Sequence, residues 1–202
     1  DVGTWIVGTA TLAFVAMCVV GLVLWWPRTR QLLAVLDDAG TRAAIEAMPA
    51  GCIAVVDAMG VTDAGIFGDI LCARMQKRGV AGLVTDGVVR DLAGVLGTGL
   101  PVWCQGTAAP ASVAGLTFVN WQEPIGCGGV AVFPNDIVVV DTDGAVLIPA
   151  DLLDAVVEAA VEQERLEGWI MNEVNNGAVL PGLYPPNEDN KARYENWAKT
   201  QR

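Results

Sequence analysis

The stretch that most constrains this chain comes first. Residues Val2 to Pro27 carry no charged side chain, in a sequence of 202 residues. Its inner part runs from Trp5 to Trp26. As a helix rising about 1.5 Å per residue, that run spans about 33 Å, enough for a hydrocarbon core of roughly 30 Å. Trp5 stands at one end and Trp25–Trp26 at the other, where indoles favour a membrane interface. Arg28 and Arg30 follow at once, so the positive-inside rule leaves everything after them in the cytoplasm. A secretory signal peptide fits less well, because there is no basic leader and the apolar stretch is too long. The alternative is a buried core helix.

These residues predict a transmembrane helix over residues 1–28, membrane association through residues 5–26, and a linker over residues 29–40. The spelling Gly21-Leu-Val-Leu-Trp-Trp-Pro-Arg28 resembles the transmembrane helices of PepSY-type membrane proteins. The first residue is Asp1 rather than Met, which reads as a fragment or a processed product.

Composition narrows the chemistry. The formal charge of -11 argues against nucleic acid as a direct partner, because phosphate binding draws on a Lys/Arg surplus. Histidine is absent, which excludes catalytic triads built on imidazole and His–Zn sites. Any metal has to be held by carboxylates, carbonyls, water or thiolates. The five cysteines, Cys18, Cys52, Cys72, Cys104 and Cys127, show no C-x-x-C spacing and read as buried reduced thiols of a cytoplasmic domain. A nucleophilic cysteine lacks the histidine or cation that would lower its pKa.

From Thr41 onward, short apolar runs alternate with turn signals and helical patterns, as in an α/β or α+β domain. A short helix is expected over Thr41–Ala47 and strands over Cys52–Ala58, Gly82–Thr85, Val102–Cys104 and Thr117–Val119. Asp136–Asp141 and Ala145–Ile148 form a hairpin closed by Thr142-Asp143-Gly144. Helices are expected over Gly68–Arg78, over Pro149–Asn175 with an apolar stripe at helical spacing, and over Asn187–Lys199.

Two loops carry candidate chemistry. In the first, Gly68 admits a ligand close to backbone, and the N–H groups of Asp69, Ile70 and Leu71 in the following helix turn have no intrahelical partner. Such a helix start takes a carboxylate or phosphate; the alternative is that Asp69 only caps the helix. In the second, Thr85-Asp86-Gly87-Val88-Val89-Arg90-Asp91 follows a strand end, where loops of α/β folds face the ligand crevice. There a guanidinium grips a carboxylate or carbonyl oxygen, and an aspartate holds a hard cation. The alternative is a surface salt bridge beside a turn aspartate.

Gly68-Asp69, then Lys77-Arg-Gly-Val-Ala-Gly-Leu-Val-Thr-Asp-Gly-Val-Val-Arg-Asp91, Pro124-Ile-Gly-Cys127, Pro134 to Gly144 and Ile148-Pro149 resemble the RraA-like family. That family includes 4-hydroxy-4-methyl-2-oxoglutarate aldolases and the regulator of ribonuclease activity A. The resemblance runs over residues 41–202, with a C-terminal helical tail in which Leu183–Asn187 is similar to that of a subgroup labelled as ribonuclease regulators.

It implies an α/β fold of the α/β/β swivelling type, lacking its usual N-terminal part and preceded by one hydrophobic helix. It also implies trimers or hexamers with sites between subunits. By position, Asp91 binds Mg²⁺ or Mn²⁺, Arg90 contacts a small α-keto acid, and Asp69 orients a metal-bound water. The N–H groups of Ile70 and Leu71 hold the pyruvyl carboxylate beside Gly68. Glu167 of a neighbouring subunit, with Glu162 and Glu164 close in sequence, completes the shell. The implied activity is cleavage of 4-hydroxy-4-methyl-2-oxoglutarate to pyruvate and decarboxylation of oxaloacetate, through one enolate that a divalent cation stabilises. The alternative is a non-catalytic regulator that binds and inhibits a ribonuclease.

Overall fold

The computed structural model describes residues 11–19 and 40–200, with side chains from residue 40 onward. The chain divides into two compact units, Asp1–Ala150 and Asp151–Arg202.

The first unit is built on a mixed sheet in the order β4-β3-β2-β1-β8-β9, with β5 pairing β1. Its strands are β1 (Thr11–Val19), β2 (Ile53–Asp57), β3 (Gly82–Thr85), β4 (Val102–Trp103), β5 (Phe118–Asn120), β8 (Ile137–Val140) and β9 (Ala145–Ile148). β1 to β4 run parallel, while β5, β8 and β9 are joined antiparallel. Helix α1 (residues 40–47), α2 (Asp69–Lys77) and α3 (Leu92–Thr98) belong to the same unit.

Thr11–Val19 is a strand, not part of a membrane helix: Ala13 pairs with Ile53 of β2, and Thr11 pairs with Val138 of β8. A strand inside a sheet reads as an unbroken apolar run, and hydrophobicity alone does not separate it from a buried or membrane helix. Among the described residues no helix is long and apolar enough to cross a membrane. The remainder of the expected span, and residues 29–39 of the expected linker, lie outside the described residues.

The parallel strands are apolar on both faces because both faces are covered. β2 and β3 are buried along their whole lengths. Ala54, Val56 and Leu83 join Ile45, Cys72, Met75 and Val95 in one core cluster. Ile53, Val55 and Val84 join Ile125, Cys127 and Val132 in another. The latter three come from a small hairpin of β6 (Ile125–Cys127) and β7 (Val130–Val132). Its two-residue turn, Gly128-Gly129, has φ of 61° and 79°, the left-handed pair that a tight hairpin requires. Glu46 ties α1 to α2, accepting from Arg74 Nε and Nη2 at 2.7 Å each. That guanidinium holds the Glu46 carboxyl below its ordinary range.

The second unit holds α4 (Leu153–Asn175), entered through a 3-10 turn, and α5 (Glu188–Thr200). Trp169, Ile170, Leu183 and Tyr194 form its core. Arg165 and Arg193 lie 5.8 and 5.4 Å from the ring centroids of Trp197 and Trp169, a geometry in which the cations are drawn to the indole faces. The Tyr194 hydroxyl donates to Glu162 Oε1 at 2.6 Å, and burial with that carboxylate pushes it up to about 12. The apolar stripe expected at the start of α4 is exposed at Leu152, Val157 and Val161.

Cys52, Cys72 and Cys127 are buried, and Cys104 is half-buried. Burial pushes the Cys52 and Cys72 thiols up to about 11. At pH 8 their thiolate fraction is then about two orders of magnitude below that of an ordinary thiol. Alkylation of the native protein, mapped by peptide mass spectrometry, is expected to label Cys104 well before Cys52, Cys72 and Cys127. The folded state also holds the Cys52 and Cys72 protons more tightly than the unfolded chain does. Their contribution is therefore full below the ordinary thiol value of 9.0 and falls as the pH rises towards about 11.

Candidate functional site

The site is assembled by backbone pairing between two segments that carry few hydrogen-bonding side chains. Residues 65–67 run beside residues 88–90: Gly65 bridges Val88 in parallel, Ile66 N–H donates to the Val88 carbonyl at 2.8 Å, and Arg90 N–H donates to the Phe67 carbonyl at 2.9 Å. On the other flank, Val89 N–H donates to Gly106 O at 3.0 Å and Ala108 N–H to Val89 O at 3.0 Å. The first segment leads into α2 at Gly68-Asp69, and the second ends at Arg90-Asp91, where α3 begins. Sequence positions more than twenty residues apart are thereby brought together.

Gly68 stands directly against the Arg90-Asp91 pair. A Cβ at Gly68 would lie 2.9 Å from Asp91 Oδ2 and 3.1 Å from Arg90 Nε. Arg90 Nε donates to Asp91 Oδ2 at 2.8 Å, with the two side chains 40% and 46% exposed. An ion pair this open adds little stability, yet it leaves both groups within reach of a ligand. Asp91 takes φ 53° and ψ 44°, the left-handed region, at the N-cap of α3 without capping it through its side chain. Among non-glycine residues, aspartate and asparagine tolerate that region best, and such backbone strain concentrates at ligand clamps.

Asp69 approaches from α2. A Cβ at Gly94 of α3 would fall 2.7 Å from Asp69 Oδ2, so this carboxylate packs on the first turn after Asp91. Gly68 is the N-cap of α2, and Asp69 occupies the first helical turn, where the helix dipole favours negative charge. Its Oδ1 accepts from Ile70 N–H at 2.7 Å. One of the two amides that the resemblance assigns to a substrate carboxylate is thus already engaged by Asp69. Leu71 follows on the same turn, and the Ile70 side chain is 79% exposed.

Asp69, Arg90, Asp91 and Gly68 therefore border one another in the first unit. Glu167 belongs to the second unit, where it accepts from Gln163 Nε2 at 2.6 Å on the surface of α4. Among the described residues no group of three or more His, Cys, Asp or Glu could hold a metal ion. The oxygen donors of Asp69 and Asp91 still suit a hard cation that keeps several waters, as Mg²⁺ does with one or two carboxylates.

Gly94 carries no signal in the sequence, since it lies inside a helix too short and glycine-rich to show a period. Asp86 stands in the second candidate loop, but only as a turn aspartate beside Gly87.

A model of the RraA-like family, described as Aldolase/RraA, matches residues 9–147. The chain belongs to the RraA-like family. The match begins within the apolar N-terminal run, not near Thr41, so the matched region includes β1. A protein of Halalkalibacterium halodurans named "Putative 4-hydroxy-4-methyl-2-oxoglutarate aldolase" is 35% identical over 138 residues, covering 68% of this chain and 64% of that protein. The chain thus spans a little under two thirds of that relative. Among solved structures, an uncharacterized protein from Pseudomonas syringae superposes with a TM-score of 0.72 at 25% identity, covering 92% of this chain and 78% of that one. Streptomyces coelicolor RraAS2, described as an unusual member of the RNase ES inhibitor RraA family, superposes with 0.67 at 30% identity, covering 84% and 77%.

Two substitutions separate structure from site chemistry at Asp91. Asp91→Asn keeps a residue that accepts the left-handed backbone and removes the charge, so thermal unfolding is expected to stay near wild type. Asp91→Ala is expected to lose about 1 kcal/mol as well, the cost of forcing alanine into that region. Calorimetry on both variants checks the difference.

Proposed function

We propose that this protein is a divalent-metal-dependent lyase of small α-keto diacids, cleaving 4-hydroxy-4-methyl-2-oxoglutarate to pyruvate and decarboxylating oxaloacetate. The observation that carries the reading is the Arg90-Asp91 pair facing the side-chain-free edge of Gly68, with the Asp69 carboxylate on the adjoining helix turn. Relatives with aldolase names support the reaction class.

Arg90 uses its Nε on Asp91, which leaves the two terminal nitrogens for the keto and carboxylate oxygens of the substrate, the planar fork that suits a carboxylate. The absent side chain at Gly68 gives those oxygens room beside the pair. Asp91, with Asp69 acting through water, would hold Mg²⁺ or Mn²⁺. When bound, that cation supplies the positive charge into which the electrons of the breaking carbon–carbon bond are drawn. Arg90 adds a fixed positive charge at the same oxygens, placed before the reaction begins. Asp69 holds the water that takes the substrate's hydroxyl proton. Both reactions leave the same pyruvate enolate, so one set of groups serves both. Glu167 of a neighbouring copy of the chain, in a trimer or hexamer, would complete the shell.

Purified protein is expected to release pyruvate from either substrate with Mg²⁺ or Mn²⁺ and to stop when EDTA is added. Arg90→Ala and Asp91→Ala are each expected to lower kcat/KM on the order of a hundredfold or more. A coupled lactate dehydrogenase assay reads this directly, and wild-type rates in both variants would sink the assignment.

A second reading draws on the similarity to RraAS2 and on the charge of -11: a non-catalytic protein that docks on a basic face of a ribonuclease. It predicts a complex, measurable by sedimentation, that survives both Asp91→Ala and EDTA, together with no pyruvate release.

A further inference from the structure

The segment that ends in Arg90-Asp91 starts at Asp86, a residue for which the lyase reading has no task. Asp86 is only 7% exposed. Its Oδ1 accepts from Ala58 N–H at 2.7 Å, and its Oδ2 accepts from Gly60 N–H at 3.2 Å and Gly128 N–H at 3.3 Å. Ala58 and Gly60 belong to the turn after β2, and Gly128 to the turn of the β6–β7 hairpin. One buried carboxylate thus gathers three backbone donors from two loops at the end of β3. Left without those donors, it would be too costly to bury.

The next residue tightens the same junction. A Cβ at Gly87 would lie 2.5 Å from the Ala58 Cβ. Gly87 N–H donates to Thr85 Oγ1 at 3.1 Å, and its carbonyl accepts from Gln105 N–H at 2.7 Å. Beyond it, Val88, Val89 and Arg90 are bonded to the flanking segments. A shift at Asp86 therefore has little slack to disappear into before it reaches Arg90. Asp57 makes a related clamp on Met59 and Gly126, but β2 does not lead into the Arg90-Asp91 pair.

We propose that Asp86 is a positioning residue: its buried carboxylate fixes the start of the segment whose far end presents Arg90 and Asp91. The kinetic arm of the test rests on the lyase reading; the spectroscopic arm does not. Asp86→Asn keeps the shape but sets an NH₂ against backbone N–H groups, whichever way the amide faces. Asp136→Asn is the control, a carboxylate 5% exposed whose Oδ2 accepts from Phe133 N–H in the turn before β8.

Asp86→Asn is expected to speed amide hydrogen exchange at Ala58, Gly60 and Gly128 and to move the ¹⁵N resonance of Arg90 Nε. It is also expected to lower kcat tenfold to on the order of a hundredfold. In Asp136→Asn, the Arg90 resonance and kcat are expected to match wild type. An unmoved Arg90 resonance in Asp86→Asn, with the three amides opened, overturns the proposal. If the wild-type protein releases no pyruvate, the lyase reading falls and the resonance still decides the role of Asp86. Where Asp86→Asn does not fold, Gly87→Ala strains the same junction and must move the Arg90 resonance. Ala58→Gly in the same chain must then restore it, and failure of either step overturns the proposal.

Discussion

The pairing of residues 65–67 with residues 88–90 is the constraint on which the rest of the candidate site depends. Two amide–carbonyl bonds, Ile66 N–H to the Val88 carbonyl and Arg90 N–H to the Phe67 carbonyl, bring the start of α2 onto the start of α3. Neither bond involves a side chain, so this pairing is made by main chain and does not consume the side chains of Asp69, Arg90 or Asp91. Room matters as much as attraction there. At Gly65, Gly68 and Gly94, an added Cβ would fall under 3.0 Å from Arg90, Asp91 or Asp69.

The charges follow from that frame. A guanidinium beside a carboxylate in the open is a weak stabiliser, because water already satisfies both. The same pair at the end of a buried parallel strand, next to a backbone held at φ 53°, makes better sense as equipment for a ligand than as a brace for the fold. The braces lie elsewhere: the buried carboxylates of Asp57, Asp86 and Asp136 all accept backbone N–H groups.

Much of this was legible in the residues. The continuous apolar pattern of Ile53–Asp57 and Gly82–Thr85 marks strands covered on both faces, and Asp141 to Gly144 closes the β8–β9 hairpin as its turn chemistry dictates. Gly68, Asp69, Arg90 and Asp91 stood out by spacing and by resemblance. Other features were hidden for physical reasons. The helix Leu92–Thr98 contains Gly94 and Gly97 and is too short to show a period. The β6–β7 hairpin does carry a signal, Gly128-Gly129 between short apolar runs, although each run is only three residues long. The N-terminal run misled most, since length and hydrophobicity are shared by a membrane helix and an interior strand, and only pairing partners tell them apart. Glu167 lies on α4, as its helical spacing dictates, and there it accepts from Gln163 one turn away.

The position of β1 has a consequence for how this protein is made. β1 is an interior rib of the sheet, yet its neighbour Val138 is synthesised long after it. Until then it can pair with β2 and, once made, with β5, while the stretch that meets β8 stays open to other chains and to clumping. Closure of the sheet must wait for one of the longest-range contacts in the molecule, which favours slow folding and a reliance on chaperones during translation.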